Sequence, residues 1–178
     1  MTFRYAAAFV LTLSCLGAQA MEAAAQPPQK VLRMFLSTSE TGLDPAVASD
    51  NATLSLLENL FDPLLRYDYL ARPAQLRPNT TTAMPEVSAD GLAYTFHIRP
   101  GIYFTPDPAF KGVKREVTAA DYVYSLERLR DPSLRSPWSY MLEGKRLETV
   151  DRYTLRIRLD APDNNFLFYL ATPATGVV

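Results

Sequence analysis

The sequence predicts a mixed α/β fold, because segments with strand periodicity and segments with helix periodicity follow one another irregularly. Their order is strand, helix, strand, hairpin, helix, hairpin, helix, which is neither a regular βαβ alternation nor an all-β pattern. The composition is that of an ordinary globular protein, with 48% hydrophobic and 21% charged residues. A single hydrophobic core is feasible at this chain length.

The clearest two elements lie in the middle of the chain. In residues 94–98, the apolar Tyr, Phe and Ile alternate with Thr and His, which predicts a half-buried strand. Thr118 is a good N-cap, and the Asp121 carboxylate three residues later can face back to the cap amide. We therefore predict a helix from Thr118 to the Asp-Pro pair at 131–132, where proline stops it.

Shorter patterns predict the other elements. The strands are expected at 31–36, 64–67, 102–104, 147–150 and 154–159, and the helices between Asp50 and Pro63, around 138–142, and over 164–171. The first of these strands is almost continuously apolar, which predicts burial on both faces. The helix that Asp50 caps should turn Leu57 and Leu60 towards the core. Trp138 is expected to pack in the core, with stacking on a ligand as the alternative.

The N-terminus carries the pattern of a secretory signal peptide over residues 1–20. Arg4 gives a positive start, residues 6–16 are apolar, and Ala-Gln-Ala at 18–20 is a small-x-small cleavage site. The apolar run is too short for a membrane span. We expect a flexible leader over residues 21–30 and the folded domain over 31–178, and the abrupt last residues suggest a fragment of a longer protein.

Few residues suit covalent or metal chemistry. Cys15 is the only cysteine and lies in the signal, so the mature chain would lack disulfides and thiol nucleophiles. His97 is the only histidine and falls on the polar face of a strand. No glycine-rich phosphate loop is present, and a net charge of -1 does not favour nucleic acid. We expect no catalytic residues, no metal and no cofactor, although an acid pair leaves a secreted hydrolase open as an alternative.

Several motifs, in the correct order, resemble the family 5 extracellular solute-binding proteins, the dipeptide-, oligopeptide- and nickel-type receptors of ABC importers. The matching segments are Leu43-Asp44-Pro45-Ala46, residues 58–64 with the Tyr-Asp at 67–68, residues 90–101, residues 118–126 and Asp151 to Thr154. The resemblance implies a fold like that of the type II periplasmic binding proteins, with an incomplete first lobe and a mixed β-sheet. The loop at 105–112 is longer than the family pattern, so we expect a distinct subfamily.

The resemblance also implies a function. We expect a periplasmic, monomeric, non-enzymatic receptor that binds a peptide or similar small solute and delivers it to ABC permease subunits in the inner membrane. The first lobe of the family approaches its ligand in the loop Ser37, Thr38, Ser39, Glu40 and Thr41. Glu40 would meet a ligand amine there, with an ordinary solvent loop as the alternative. A ligand-presenting partner of a chemoreceptor is a further alternative function.

Overall fold

The structure, a computed structural model, describes residues 30–33, 35 and 38–178. Three α-helices and six strands lie in this part of the chain. They are α1 (Asn51–Leu57), β1 (Leu65–Tyr67), β2 (Leu76–Pro78), β3 (Glu86–Val87), β4 (Ala93–His97), α2 (Ala119–Arg128), β5 (Lys145–Thr149), β6 (Thr154–Leu159) and α3 (Phe166–Tyr169). The predicted signal peptide and nearly all of the predicted leader lie outside the described residues. No helix of the described part is both long enough and apolar enough to cross a membrane.

The strands form two sheets. Four strands are hydrogen-bonded in the order β3-β4-β6-β5, and β1 pairs with β2 in a separate ribbon. The mixed α/β class is therefore confirmed. Every strand pair among the described residues is antiparallel, so the expected mixture of parallel and antiparallel strands is not found there. Short hairpin connections join β3 to β4 and β5 to β6 and require antiparallel pairing, whereas the chain between β4 and β6 passes through α2 and β5.

Strand β6 is central in the larger sheet and follows its sequence pattern. Leu155, Ile157 and Leu159 are all buried, as their alternation predicts, while Arg158 is exposed. Phe96 of β4 lies directly opposite Leu155 in the register. The apolar face formed in this way supports α2, which packs on both β5 and β6.

Helix α2 begins where the capping pattern predicts. The Asp121 carboxylate Oδ2 accepts hydrogen bonds from the Thr118 amide at 2.8 Å and from the Thr118 hydroxyl at 2.7 Å. These bonds satisfy a cap amide that has no partner within the helix. The buried face of the helix carries Tyr122 and Leu126, both fully inaccessible, and Leu129 follows it into the core. This helix is the rigid support for the region described below.

The predicted strand at 31–36 is wrong for the residues that are described. Residues 31–33 and 35 form no strand, and Leu32 and Phe35 are 82% and 90% exposed. An apolar strand is buried on both faces only where other strands and covering layers surround it.

Three shorter predictions also need correction. Helix α1 ends at Leu57, and Leu60 is 58% exposed, because the following amides turn back onto carbonyls three residues earlier. Strand β2 lies in a stretch for which no strand is predicted, since its proline suppresses the strand signal. The predicted strand at 102–104 is reduced to one isolated bridge between Tyr103 and Glu116.

Candidate ligand-binding site

The candidate ligand segment, residues 38–41, ends on a residue that is fixed to helix α1. The Thr41 amide donates to the Thr53 hydroxyl at 3.0 Å, and the Thr41 hydroxyl donates to Asp50 Oδ2 at 2.7 Å. Thr53 is completely buried, so the acceptor of the first bond has little freedom to move. The side chain of Thr41 is therefore occupied within the fold, and its role towards a ligand would be to place the residues before it.

Asp50 serves helix α1 and the ligand segment together. As the N-cap, its Oδ1 accepts from the Thr53 amide at 2.9 Å. The bond from that amide, together with the bonds from the Thr41 and Thr53 hydroxyls, lowers the pKa of Asp50 from 3.8 to about 2. The carboxylate is consequently ionised near neutral pH, so protonation does not disturb its bond to Thr41 there.

The residues before Thr41 are open to solvent. Thr38, Ser39 and Glu40 are all exposed, and the Thr38 hydroxyl donates only to the adjacent Ser39 carbonyl, at 3.3 Å. Ser37, also predicted as a ligand residue, lies outside the described residues. The segment thus presents two hydroxyls and one carboxylate next to a fixed point, which suits hydrogen bonding to a polar ligand and attraction of a ligand amine.

A second anchor holds the turn that follows the segment. Asp44 forms a two-point ion pair with Arg128, the last residue of α2, with Nη1–Oδ1 and Nη2–Oδ2 distances of 3.0 and 2.7 Å. The same Oδ1 accepts from the Ala46 amide at 3.0 Å. The hydrogen bond from Arg128 lowers the pKa of Asp44, and the reciprocal bond raises the pKa of Arg128.

Trp138 makes the third contact with this region. Its indole Nε1 donates to the Ala48 carbonyl at 2.8 Å, while the ring is partly buried against the hydrophobic core. The expectation of core packing is confirmed, and the hydrogen bond adds a polar role to it. The turn from Asp44 to Ala48 is thereby tied to two separate parts of the fold.

Two depressions open on the surface near these residues. One, of about 500 Å³, is formed entirely by the stretch from Thr41 to Asp50. Another, of about 350 Å³, lies beyond the end of α1 and is lined by Glu58, Arg66 and Tyr67 among others. Both are open to solvent, so each could contact a small ligand on one side only.

The single histidine, His97, contacts two polar side chains on a strand face. His97 is exposed, with Nδ1 3.3 Å from the Thr154 hydroxyl and Nε2 3.4 Å from Glu86. Within the described residues, no group of three or more His, Cys, Asp or Glu side chains is arranged to hold a metal ion.

Sequence reasoning missed the pair formed by Asp44 and Arg128. The two residues are 84 positions apart, and each taken alone is an ordinary charged residue. Asp44 belongs to the Leu-Asp-Pro motif, and Arg128 follows the block that begins with Thr-Ala. Neither motif indicates that the two residues pair. The bond from Trp138 to Ala48 was missed for the same reason.

Comparison with known proteins places the chain in a family. The profile of the bacterial extracellular solute-binding proteins, family 5 Middle, matches residues 75–178, more than half of the chain. The chain belongs to this family, and the resemblance found in its motifs is confirmed. The antiparallel sheet and the capped helix α2 both lie within the matched residues.

Named relatives and solved structures agree with this assignment. Di/tripeptide-binding protein 4 of Pseudomonas aeruginosa is 34% identical over 140 residues, which are 67% of this chain and 24% of the relative. Di/tripeptide-binding protein 2 of the same species is 33% identical over 177 residues, 89% of this chain and 32% of the relative. The periplasmic binding protein DppA of Helicobacter pylori, solved with the peptide STSA, superposes with a TM-score of 0.68 at 30% identity, over 78% of this chain and 29% of that one. The chain thus spans about a quarter to a third of the length of these proteins.

Proposed function

We propose that the chain is part of the periplasmic substrate-binding component of an ABC importer, which binds a peptide or similar small solute and passes it to permease subunits in the inner membrane. The observation that carries this proposal is the family membership, together with a superposition on a binding protein solved with a peptide. Two relatives named as di/tripeptide-binding proteins support a peptide as the ligand.

The role is one of holding a ligand without transforming it. Peptide hydrolysis needs an activated nucleophile or a polarised water molecule, and such a centre is built from residues of specific type and geometry. Within the described chain the solitary His97 contacts Thr154 and Glu86 on an exposed strand face, away from both depressions. A peptide incubated with the protein should therefore be recovered intact by mass spectrometry, and release of fragments would favour the hydrolase alternative.

The ligand is proposed to contact the loop Ser37, Thr38, Ser39, Glu40 and Thr41. Glu40 is exposed beside the fixed Thr41 and supplies a negative charge for the amino terminus of a peptide. The hydroxyls of Thr38 and Ser39 supply donors and acceptors for its backbone. Binding from one side leaves most of the ligand exposed to water, so we expect this chain by itself to bind peptides weakly, with a dissociation constant of about 1 mM.

The test is an NMR titration of the 178-residue chain with the tetrapeptide STSA. Amide resonances of residues 38–41 should shift at millimolar peptide, and acetylation of the peptide amine should weaken the effect. Glu40→Gln should reduce the affinity about threefold, the loss of one solvent-exposed charge pair. The matched control is Glu58→Gln in the neighbouring depression, which should leave the titration unchanged.

Three results would count against the proposal. Unchanged amide resonances at a peptide concentration of about 10 mM, tenfold above the expected dissociation constant, would argue against a peptide as the ligand. A response to Glu58→Gln but not to Glu40→Gln would place the ligand in the other depression. Micromolar binding would contradict the expectation that contact from one side gives only weak affinity. Permease and ATPase genes beside this gene are expected, and a chemoreceptor gene there in their place would favour the signalling alternative.

A further inference from the structure

The Asp44–Arg128 ion pair connects the turn after the candidate ligand segment to helix α2. Arg128 is the last residue of α2, whose inner face is fully buried, and its positive charge is favourable at a helix C-terminus. The paired side chains are 21% and 38% exposed, for Arg128 and Asp44 respectively. A planar guanidinium that makes two parallel bonds fixes the direction of its partner as well as its distance.

Asp44 passes this constraint on to the turn. Its side chain accepts from the Ala46 amide, and its carbonyl accepts from the amides of Val47 and Ala48 at 3.1 and 3.0 Å. Trp138 independently holds the Ala48 carbonyl. Residues 44–48 are therefore fixed at both ends to parts of the chain that lie more than 80 positions away.

The turn and helix α1 together bracket the ligand segment. Only two residues separate Thr41 from Asp44. Thr41 is hydrogen-bonded to Asp50, the N-cap of α1, and to Thr53 in its first turn. Gly42, between them, has a φ of +144°, a conformation that residues with a side chain rarely adopt. The segment from 41 to 44 is thus held at both ends by side-chain hydrogen bonds.

From this geometry we infer that Arg128 and Trp138 are positioning residues for ligand binding: through Asp44 and Ala48 they hold the exposed segment 38–41 in one place. The role in ligand binding rests on the proposed function, whereas the anchoring of residues 38–41 does not depend on it. It assigns the aspartate of the Leu-Asp-Pro motif to anchoring and not to ligand contact, because both of its carboxylate oxygens are bonded to Arg128.

Amide hydrogen exchange of the 178-residue chain without ligand tests the positioning. Asp44→Asn keeps an acceptor for the Ala46 amide but loses the ion pair, so exchange at Thr41 and Ala48 should become about fivefold faster. Arg128→Ala should have the same effect, and Arg128→Lys a smaller one, because lysine keeps the charge without the two-point geometry. Trp138→Phe should accelerate amide exchange at Ala48, because it removes the indole hydrogen bond to the Ala48 carbonyl. In Asp44→Asn and Arg128→Lys, the exchange rate of the core amide of Ile157 and the urea midpoint should stay unchanged.

The matched control is Arg152→Lys, which alters another arginine–carboxylate pair, with Glu116 at 3.0 Å, remote from the turn. This variant should leave the amide exchange rates of Thr41 and Ala48 unchanged. Unchanged exchange at Thr41 in both Asp44→Asn and Arg128→Ala would overturn the inference, and so would equal acceleration of Ile157, since that reports general loosening.

The STSA titration separates this inference from the proposed function. Where peptide shifts are observed, Asp44→Asn and Arg128→Ala should weaken them about fivefold while Arg152→Lys does not. Faster exchange at Thr41 in a chain that responds to no peptide would support the anchor and count against the proposed function alone. Peptide shifts that survive both variants unchanged would remove the functional meaning of the anchor.

Discussion

The Tyr122 hydroxyl joins helix α2 to the chain that leads into the small ribbon. Tyr122 is completely buried, and its hydroxyl donates to the Asp62 carbonyl at 2.9 Å. Because a carbonyl can only accept, the Thr80 hydroxyl, at 2.6 Å, must be the donor to the Tyr122 oxygen. Burial raises the pKa of Tyr122 well above its ordinary value, so the hydroxyl keeps its proton.

The Tyr122→Phe variant removes both bonds without opening a cavity. Each buried hydrogen bond contributes about 1 kcal/mol to the free energy of unfolding. Part of this loss is recovered, because the Thr80 hydroxyl can turn to the Pro63 carbonyl at 3.3 Å and the Asp62 carbonyl keeps the Val177 amide at 3.2 Å. We expect a net destabilisation of about 1.5 kcal/mol.

Urea unfolding followed by fluorescence of the single tryptophan, Trp138, measures this change. Thr80→Val should cost about 1 kcal/mol, and the double variant should fall short of the sum by about 1 kcal/mol, because both changes remove the same bond. Tyr124→Phe, on the exposed side of the same helix, is the control and should be neutral. A Tyr122→Phe chain within about 0.3 kcal/mol of the original, or strictly additive effects, would refute the reasoning.

Two further predictions concern ionised side chains. Asp163→Asn should lower the free energy of unfolding by about 3 kcal/mol, because it leaves Lys145, only 6% exposed, without the carboxylate 2.9 Å away. Lys145→Met removes the buried charge itself and should cost less. Equal urea midpoints for the two variants would contradict this. The stabilisation that Asp50 gives through its lowered pKa should be complete above pH 3.8 and be lost as the pH falls through about 2, since protonation removes its bonds to Thr41 and Thr53. Carboxyl NMR should give a midpoint of about 2 for Asp50, and a midpoint near 4 would show that the cap does not form.

Local patterns predicted those elements whose stabilising contacts are close in sequence. The Asp121 carboxylate caps α2 from three residues away, and the alternation in β6 places Leu155 and Ile157 on the buried face. Such features depend on the period of the helix or strand and on neighbouring groups, so the sequence contains all the information they need.

Elements that need distant partners were predicted less well. The residues at 31–33 and 35 look like a buried strand by composition, but burial requires covering layers that composition does not reveal. Strand β2 exists because β1 pairs with it, despite a proline in its own sequence. Where a prediction failed, the missing information was the identity of the neighbour.

By itself, the sequence determined the mixed α/β class, the capped helix, the central strand of the sheet and, through its ordered motifs, membership of the solute-binding family. Only the tertiary structure decided that Asp44 faces Arg128, that Trp138 holds Ala48 and that the ligand segment is fixed at Thr41. The reason is physical: periodicity and capping act over a few residues, whereas a hydrogen bond across more than 80 positions exists only after the core has brought both ends together.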